Sequence, residues 1–307
     1  MFWDRISVNS RSSNQTYAIP AMPTSRLPDD FSPVPLASAS SNVEIPDGFS
    51  MEEIEQFRRE GYVIARRIAD ESLRLEMQRV TLEGLGRQIG PIEYEAELHY
   101  PGAPESLTSQ GGRTVRRLKN ALCRHPVFAE WLAQPALVNR LRQLLGPELV
   151  VPLAHHNCIM TKQPEFSSDT GWHQDIRYWS FARPELVSVW LALGTETVQN
   201  GCLHVIPGSH RMTYERERFD EDLFLRPELP ENAHLIDTKT SAELEPGDVL
   251  FFHCRTFHAA SRNYTPDPKF SVVFTVRPAD NPPLPGTRSA SMPELLISSF
   301  TGRENPQ

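Results

Sequence analysis

From Gly146 to Pro278 the chain is written in short runs of β-branched and aromatic residues broken by turn residues, and no other feature limits its possible folds as tightly. The runs are Leu149–Leu153, Asn157–Thr161, Leu186–Leu193, Cys202–Ile206, Val249–His253 and Phe270–Val276; Pro164, Asn200-Gly201, Pro207-Gly208-Ser209 and Pro246-Gly247-Asp248 punctuate them. A parallel sheet needs crossovers of a dozen or more residues, usually helical, and no such pattern intervenes. The stretch therefore predicts an antiparallel all-β unit, a sandwich or jelly roll. The 27 prolines among 307 residues, well above the usual share, suit a chain this rich in turns.

The preceding stretch reads differently. Residues 1–46 are rich in Ser, Pro and Asn with little apolar periodicity, which predicts a flexible or disordered tail. One domain is expected over 47–307, with a helical part at 50–146 and the jelly-roll core at 147–278. Ser50-Met51-Glu52-Glu53 has capping-box spacing, Ile54 and Phe57 lie one turn apart, and Gly61 is a stop signal. Tyr62–Ala65 then reads as a strand, Glu71 to Leu85 as a helix, and Val115 to Leu145 as helical again, with the Arg113, Arg116, Arg117, Lys119 and Arg124 run on a solvated face.

Lys and Arg number 31 against 39 Asp and Glu, a net charge of −8 that argues against a nucleic-acid or anionic-membrane partner. No apolar run approaches membrane-span length, and Met1 to Arg5 lead into no apolar core of a secretory signal. Cys123, Cys158, Cys202 and Cys254 lack the paired spacing of zinc or redox motifs. They are expected as buried thiols in a cytoplasmic protein.

Trp172-His173-Gln174-Asp175 is the first chemical signal, because residues i and i+2 on an extended segment share a face and can meet one ion. His-x-Asp alone is a weak signal. A second histidine, His253 or His258, stands at the end of the apolar run Val249–His253, with His258 83 residues after Asp175. Two histidines and a carboxylate form a facial triad that leaves positions open on Fe(II), and zinc uses three-ligand sites as well. Eleven residues past His258, Lys269 and Ser271 share a strand face, and an ammonium beside a hydroxyl can receive a distal carboxylate. An exposed strand lysine is the plainer alternative.

Together these segments resemble the phytanoyl-CoA dioxygenase family of Fe(II)- and 2-oxoglutarate-dependent oxygenases. The likeness runs from about residue 50 to 278, through Trp172 to Asp175, Asn200-Gly201-Cys202-Leu203-His204-Val205-Ile206-Pro207-Gly208-Ser209-His210, Gly247 to Phe252, and His258 with Ser261-Arg262-Asn263. The resemblance implies a mainly β fold with flanking α-helices, a double-stranded β-helix (a distorted, cupin-like jelly roll), with His173, Asp175 and His258 as iron ligands and 2-oxoglutarate and O2 as cosubstrates. It selects His258 over His253 and makes His210 structural. The family's arginine for the distal carboxylate is replaced by Lys269, which keeps the charge and loses the two-pronged fork; Arg262 and Arg277 are the other candidate cations. Gln174 and Trp190 are implied near the cosubstrate, and His155, His156 or Asn157 at its pocket. The carboxylate of Asp175 disfavours a halogenase, since related halogenases carry a small residue there.

The expected reaction is hydroxylation of a small molecule with release of succinate and CO2, by a monomer or homodimer. Substrate contacts are expected from Glu93–Gly112, Phe166–Thr170 and the residues after Asp175, with Arg177 as partner of a substrate carboxylate and Tyr178 beside it. The rival readings are a non-redox metal-binding jelly-roll enzyme of isomerase or epimerase type and a catalytically inactive binding module.

Overall fold

Ser50 opens α1 (Met51–Glu60) as its spacing predicts: its hydroxyl accepts from the Glu53 amide while the Glu53 carboxylate accepts from the Ser50 amide. Gly61 ends the helix at φ +80°, where a Cβ would strike the His210 ring and the Thr256 hydroxyl, so conformation and space both demand glycine. The computed structural model describes residues 47–297, and the expected tail lies outside them. The remaining helices are α2 (Glu71–Gly86), α3 (Val127–Leu132), α4 (Pro135–Leu145) and α5 (Pro230–Asp237).

The strands are β1 (Tyr62–Ala65), β2 (Ile92–Tyr94), β3 (Val115–Lys119), β4 (Leu149–Pro152), β5 (Asn157–Lys162), β6 (Thr170–His173), β7 (Val187–Ala192), β8 (Leu203–Val205), β9 (Thr240–Ala242), β10 (Val249–His253), β11 (His258–Ala260), β12 (Lys269–Pro278) and β13 (Glu294–Ile297). The larger sheet runs β1-β10-β7-β12-β5-β3-β2, with β4 joined to β12 and β13; the smaller runs β6-β11-β8-β9. Every pairing is antiparallel, and the whole is a double-stranded β-helix.

Alternation on β12 divides the molecule. Phe270, Val272, Phe274 and Val276 face the helices and pack in one core with Met77, Phe128, Trp131 and Leu141. Val273 faces the other way, into a cluster that joins Cys158, Trp190 and Phe252 of the larger sheet to Leu203, Val205 and Ala260 of the smaller. Lys269, Ser271 and Thr275 share that inner face, which gives the jelly roll a partly polar interior.

Two expectations are corrected. Val115–Lys119 is a strand, paired with β2 and β5, and the helical pattern begins only at Val127. Its basic run is only partly a solvated face: Arg113 and Lys119 are exposed, but Arg116 is 2% exposed, and its guanidinium donates to Glu95, Ser168 and Thr170. A buried charge is tolerated when so paired. Cys158, Cys202 and Cys254 are buried free thiols, whereas Cys123 closes a short turn on the surface. Among the described residues no helix is long and apolar enough to cross a membrane.

Candidate metal centre

β6 and β11 pair so that His173 and His258 stand directly opposite, their ring centroids 4.1 Å apart. Just past β6 the chain enters a short helical turn, pinned by the Ile176 amide on the Cys254 carbonyl, and Asp175 swings back toward both imidazoles. Asp175 Oδ1 lies 3.5 Å from His258 Nε2 and 3.9 Å from His173 Nε2. Among the described residues, these are the three that could hold a metal ion together, with ligand atoms all within 4.8 Å of one another.

Each ligand is aimed by a second contact. His173 Nδ1 donates to the Gly171 carbonyl at 2.9 Å and His258 Nδ1 to the Thr256 carbonyl at 3.0 Å, which turns both Nε2 atoms toward Asp175. Ser188 Oγ donates to Asp175 Oδ2 at 2.6 Å. Burial, reinforced by His258 and Arg177, holds His173 well below the ordinary imidazole value. Burial alone would raise the Asp175 carboxyl, but His156, His258 and His173 together hold it well below the usual carboxylate range. Two imidazoles and one carboxylate suit a divalent iron, with ligand positions left open.

The Lys269 and Ser271 pair does surround a carboxylate, and that carboxylate is the chain's own. Glu196, fully buried, accepts from Lys269 Nζ at 3.0 Å, Ser271 Oγ at 2.6 Å and Trp190 Nε1 at 3.0 Å. The other candidate cations are engaged elsewhere: Arg262 with Asp169 at 2.6 Å, and Arg277 with Glu294.

The remaining expected residues separate. Gln174 Nε2 ties the site to the Arg255 carbonyl. Asn157 corrects its expectation: it faces the helices, accepting from the Leu122 amide, because β5 starts in the register that turns Cys158 inward. His155 turns to Ser289, while His156 Nε2 comes 3.7 Å from Asp175 Oδ1 with its buried Nδ1 unpartnered. His253 lies beside His210, with rings 5.3 Å apart. Arg177 and Tyr178 both donate to the Asp222 carbonyl, and the Arg177 guanidinium lies 3.9 Å over Phe224, whose ring meets His173 edge-on at 5.6 Å.

Sequence reasoning missed Ser188 and Glu196. A hydroxyl alternating with Trp190 on an apolar strand is a usable signal for Ser188; Glu196, in a polar turn, carries none.

Residues 43–271 match the family model for phytanoyl-CoA dioxygenase (PhyH). The ectoine dioxygenase of Bordetella bronchiseptica is 26% identical over 261 residues, covering 76% of this chain and 77% of that protein. Among solved structures, EctD from S. alaskensis with 2-oxoglutarate and 5-hydroxyectoine is similar at a TM-score of 0.63 and 22% identity, covering 79% of this chain and 81% of that one. The epimerase SnoN in complex with Fe3+, alpha ketoglutarate and nogalamycin RO is similar at 0.60 and 20% identity, covering 82% and 95%. At these identities the structural likeness is one of fold.

Proposed function

The chain belongs to the phytanoyl-CoA dioxygenase family, and on that premise we propose that it is an Fe(II)- and 2-oxoglutarate-dependent oxygenase that hydroxylates a small-molecule substrate, with succinate and CO2 as coproducts. The observation that carries this reading is the triad in which His173 and His258, each anchored through Nδ1, direct their Nε2 atoms at Asp175.

His173, Asp175 and His258 would hold the iron, which when bound couples O2 reduction to oxidative decarboxylation of the 2-oxo acid and oxidation of the substrate. The chain's own side chains prepare that site. Ser188 fixes the carboxylate, and the Gly171 and Thr256 carbonyls fix the imidazole tautomers. The Phe252 ring, 4.8 Å from His258, and the Phe224 ring beside His173 exclude water around the ligands. Arg177 and Tyr178 hold the loop that carries Phe224, and the Arg177 guanidinium serves as partner for a substrate carboxylate.

The test is Fe(II)-dependent conversion of 2-oxoglutarate to succinate under O2, lost in His173→Ala. A substrate product one oxygen atom heavier supports hydroxylation, and a product of unchanged mass moves the reaction to the epimerase type. Absence of succinate from folded, iron-loaded protein across a substrate panel contradicts the reading. Arg177→Ala is expected to keep iron and lose substrate turnover; loss of iron would count against its substrate role.

A further inference from the structure

An ammonium, a hydroxyl and an indole N–H converging on one carboxylate make a carboxylate receptor, and here the occupant is Glu196. The receptor shares the jelly-roll interior with the triad. Ala260 lies two residues along β11 from His258, about 7 Å by strand rise. Its carbonyl and that of Ser261 accept from Lys162, which stands opposite Lys269 in the β5–β12 register. A five-carbon 2-oxo diacid held by its keto-acid end at the triad would extend its far carboxylate along this direction.

Glu196 does not come from a barrel strand. It reaches in from the turn after β7, between exposed Thr195 and half-buried Thr197, with its backbone bridged to Leu244. Its side chain can withdraw without breaking either sheet. Leaving Lys269 buried without a partner would cost several kcal/mol, but exchange of one carboxylate for another keeps the charge balanced.

We propose that Glu196 is an internal competitor for the cosubstrate, occupying the seat of the distal carboxylate of 2-oxoglutarate so that the cosubstrate docks only by displacing it. Glu196 thereby sets cosubstrate affinity and lowers the preference for a dicarboxylic over a monocarboxylic 2-oxo acid. The inference rests on the oxygenase reading above.

The test is anaerobic titration of Fe(II)-loaded protein with 2-oxoglutarate and with 2-oxopentanoate, which lacks the distal carboxylate. Binding is read from the visible charge-transfer band and independently from the rise in melting temperature. Glu196→Gln keeps the shape and removes the charge, and Glu196→Ala opens the seat. The expected result is at least about 10-fold tighter 2-oxoglutarate binding in either variant, roughly 1.4 kcal/mol, with 2-oxopentanoate unchanged and the gain lost when Lys269→Ala is added. Equal or weaker 2-oxoglutarate binding in folded variants that still give the band overturns the inference and leaves the oxygenase reading standing. No response to either acid in any iron-loaded variant overturns both.

Discussion

In one cluster of the interior His173, Asp175 and His258 aim donor atoms at a shared point, while in another Lys269, Ser271 and Trp190 enclose a carboxylate that the chain supplies. Both clusters are buried and polar, and both were expected to bind something. They differ in valence. The triad's second contacts, to Gly171, Thr256 and Ser188, consume the atoms that point away from the shared point. In the Lys269 cluster the converging donors already meet Glu196. A polar cluster is therefore poised for an exogenous ligand according to which of its valences the fold has filled, more than by its residue types.

Breaking the triad produces the largest functional effect. Asp175→Ala is expected to weaken Fe(II) binding by more than about 100-fold, since even residues that only support a metal ligand are worth 10- to 100-fold. Calorimetric titration with Fe(II) under nitrogen checks it, and near-normal affinity would remove Asp175 from the ligand set.

Breaking the Lys269 cluster should act on the fold. Lys269→Ala strands a buried carboxylate and is expected to destabilise the protein by ~3–5 kcal/mol, whereas the double change Lys269→Met with Glu196→Leu recovers most of the loss. Urea denaturation of both variants decides this. If the single change were neutral, Glu196 would not be held as a buried partner.

Ser188→Ala sharpens the comparison more gently. Without the Ser188 hydroxyl on Asp175 Oδ2, Fe(II) affinity is expected to fall about 10-fold with little change in melting temperature. An unchanged affinity would make that contact incidental.

The smallest effect concerns a pair of histidines outside both clusters. Burial holds His253 down to about 3 and His210 to about 4, and His253 Nδ1 accepts from the Arg255 amide, which requires the unprotonated ring. Below an unfolded value near 6.5 the unfolded chain takes up protons that the folded chain refuses. Stability is therefore expected to fall as pH drops from about 6.5 toward 4, by on the order of 1 kcal/mol per histidine at pH 6. A smaller slope in His253→Gln, followed by thermal melts, checks the assignment.

The features legible in the sequence were local. Ser50 and Glu53 carry their helix start in four residues, and the turn residues between Gly146 and Pro278 mark out strands close to those observed. His173 and Asp175 were readable because alternation operates over two residues. What escaped depended on distant partners. Arg116 is buried on a strand because Glu95 and Ser168, contributed by separate segments, meet its guanidinium. Strands β6 and β11 are too short, at four and three residues, to show a period of their own. Glu196 looks like any turn glutamate until Lys269, 73 residues later, folds beside it. Asn157 was offered beside His155 and His156 as a pocket residue without a face assigned to it; in a strand neighbouring residues face opposite ways, and Cys158 is the one turned inward.

The most direct test of the iron centre is anaerobic addition of 2-oxoglutarate to the Fe(II)-loaded chain, watched for the visible charge-transfer band, with His173→Ala beside it. The account predicts a band in the native chain that is absent in the variant. A folded native chain that holds one equivalent of Fe(II) and shows no band with saturating 2-oxoglutarate would contradict it.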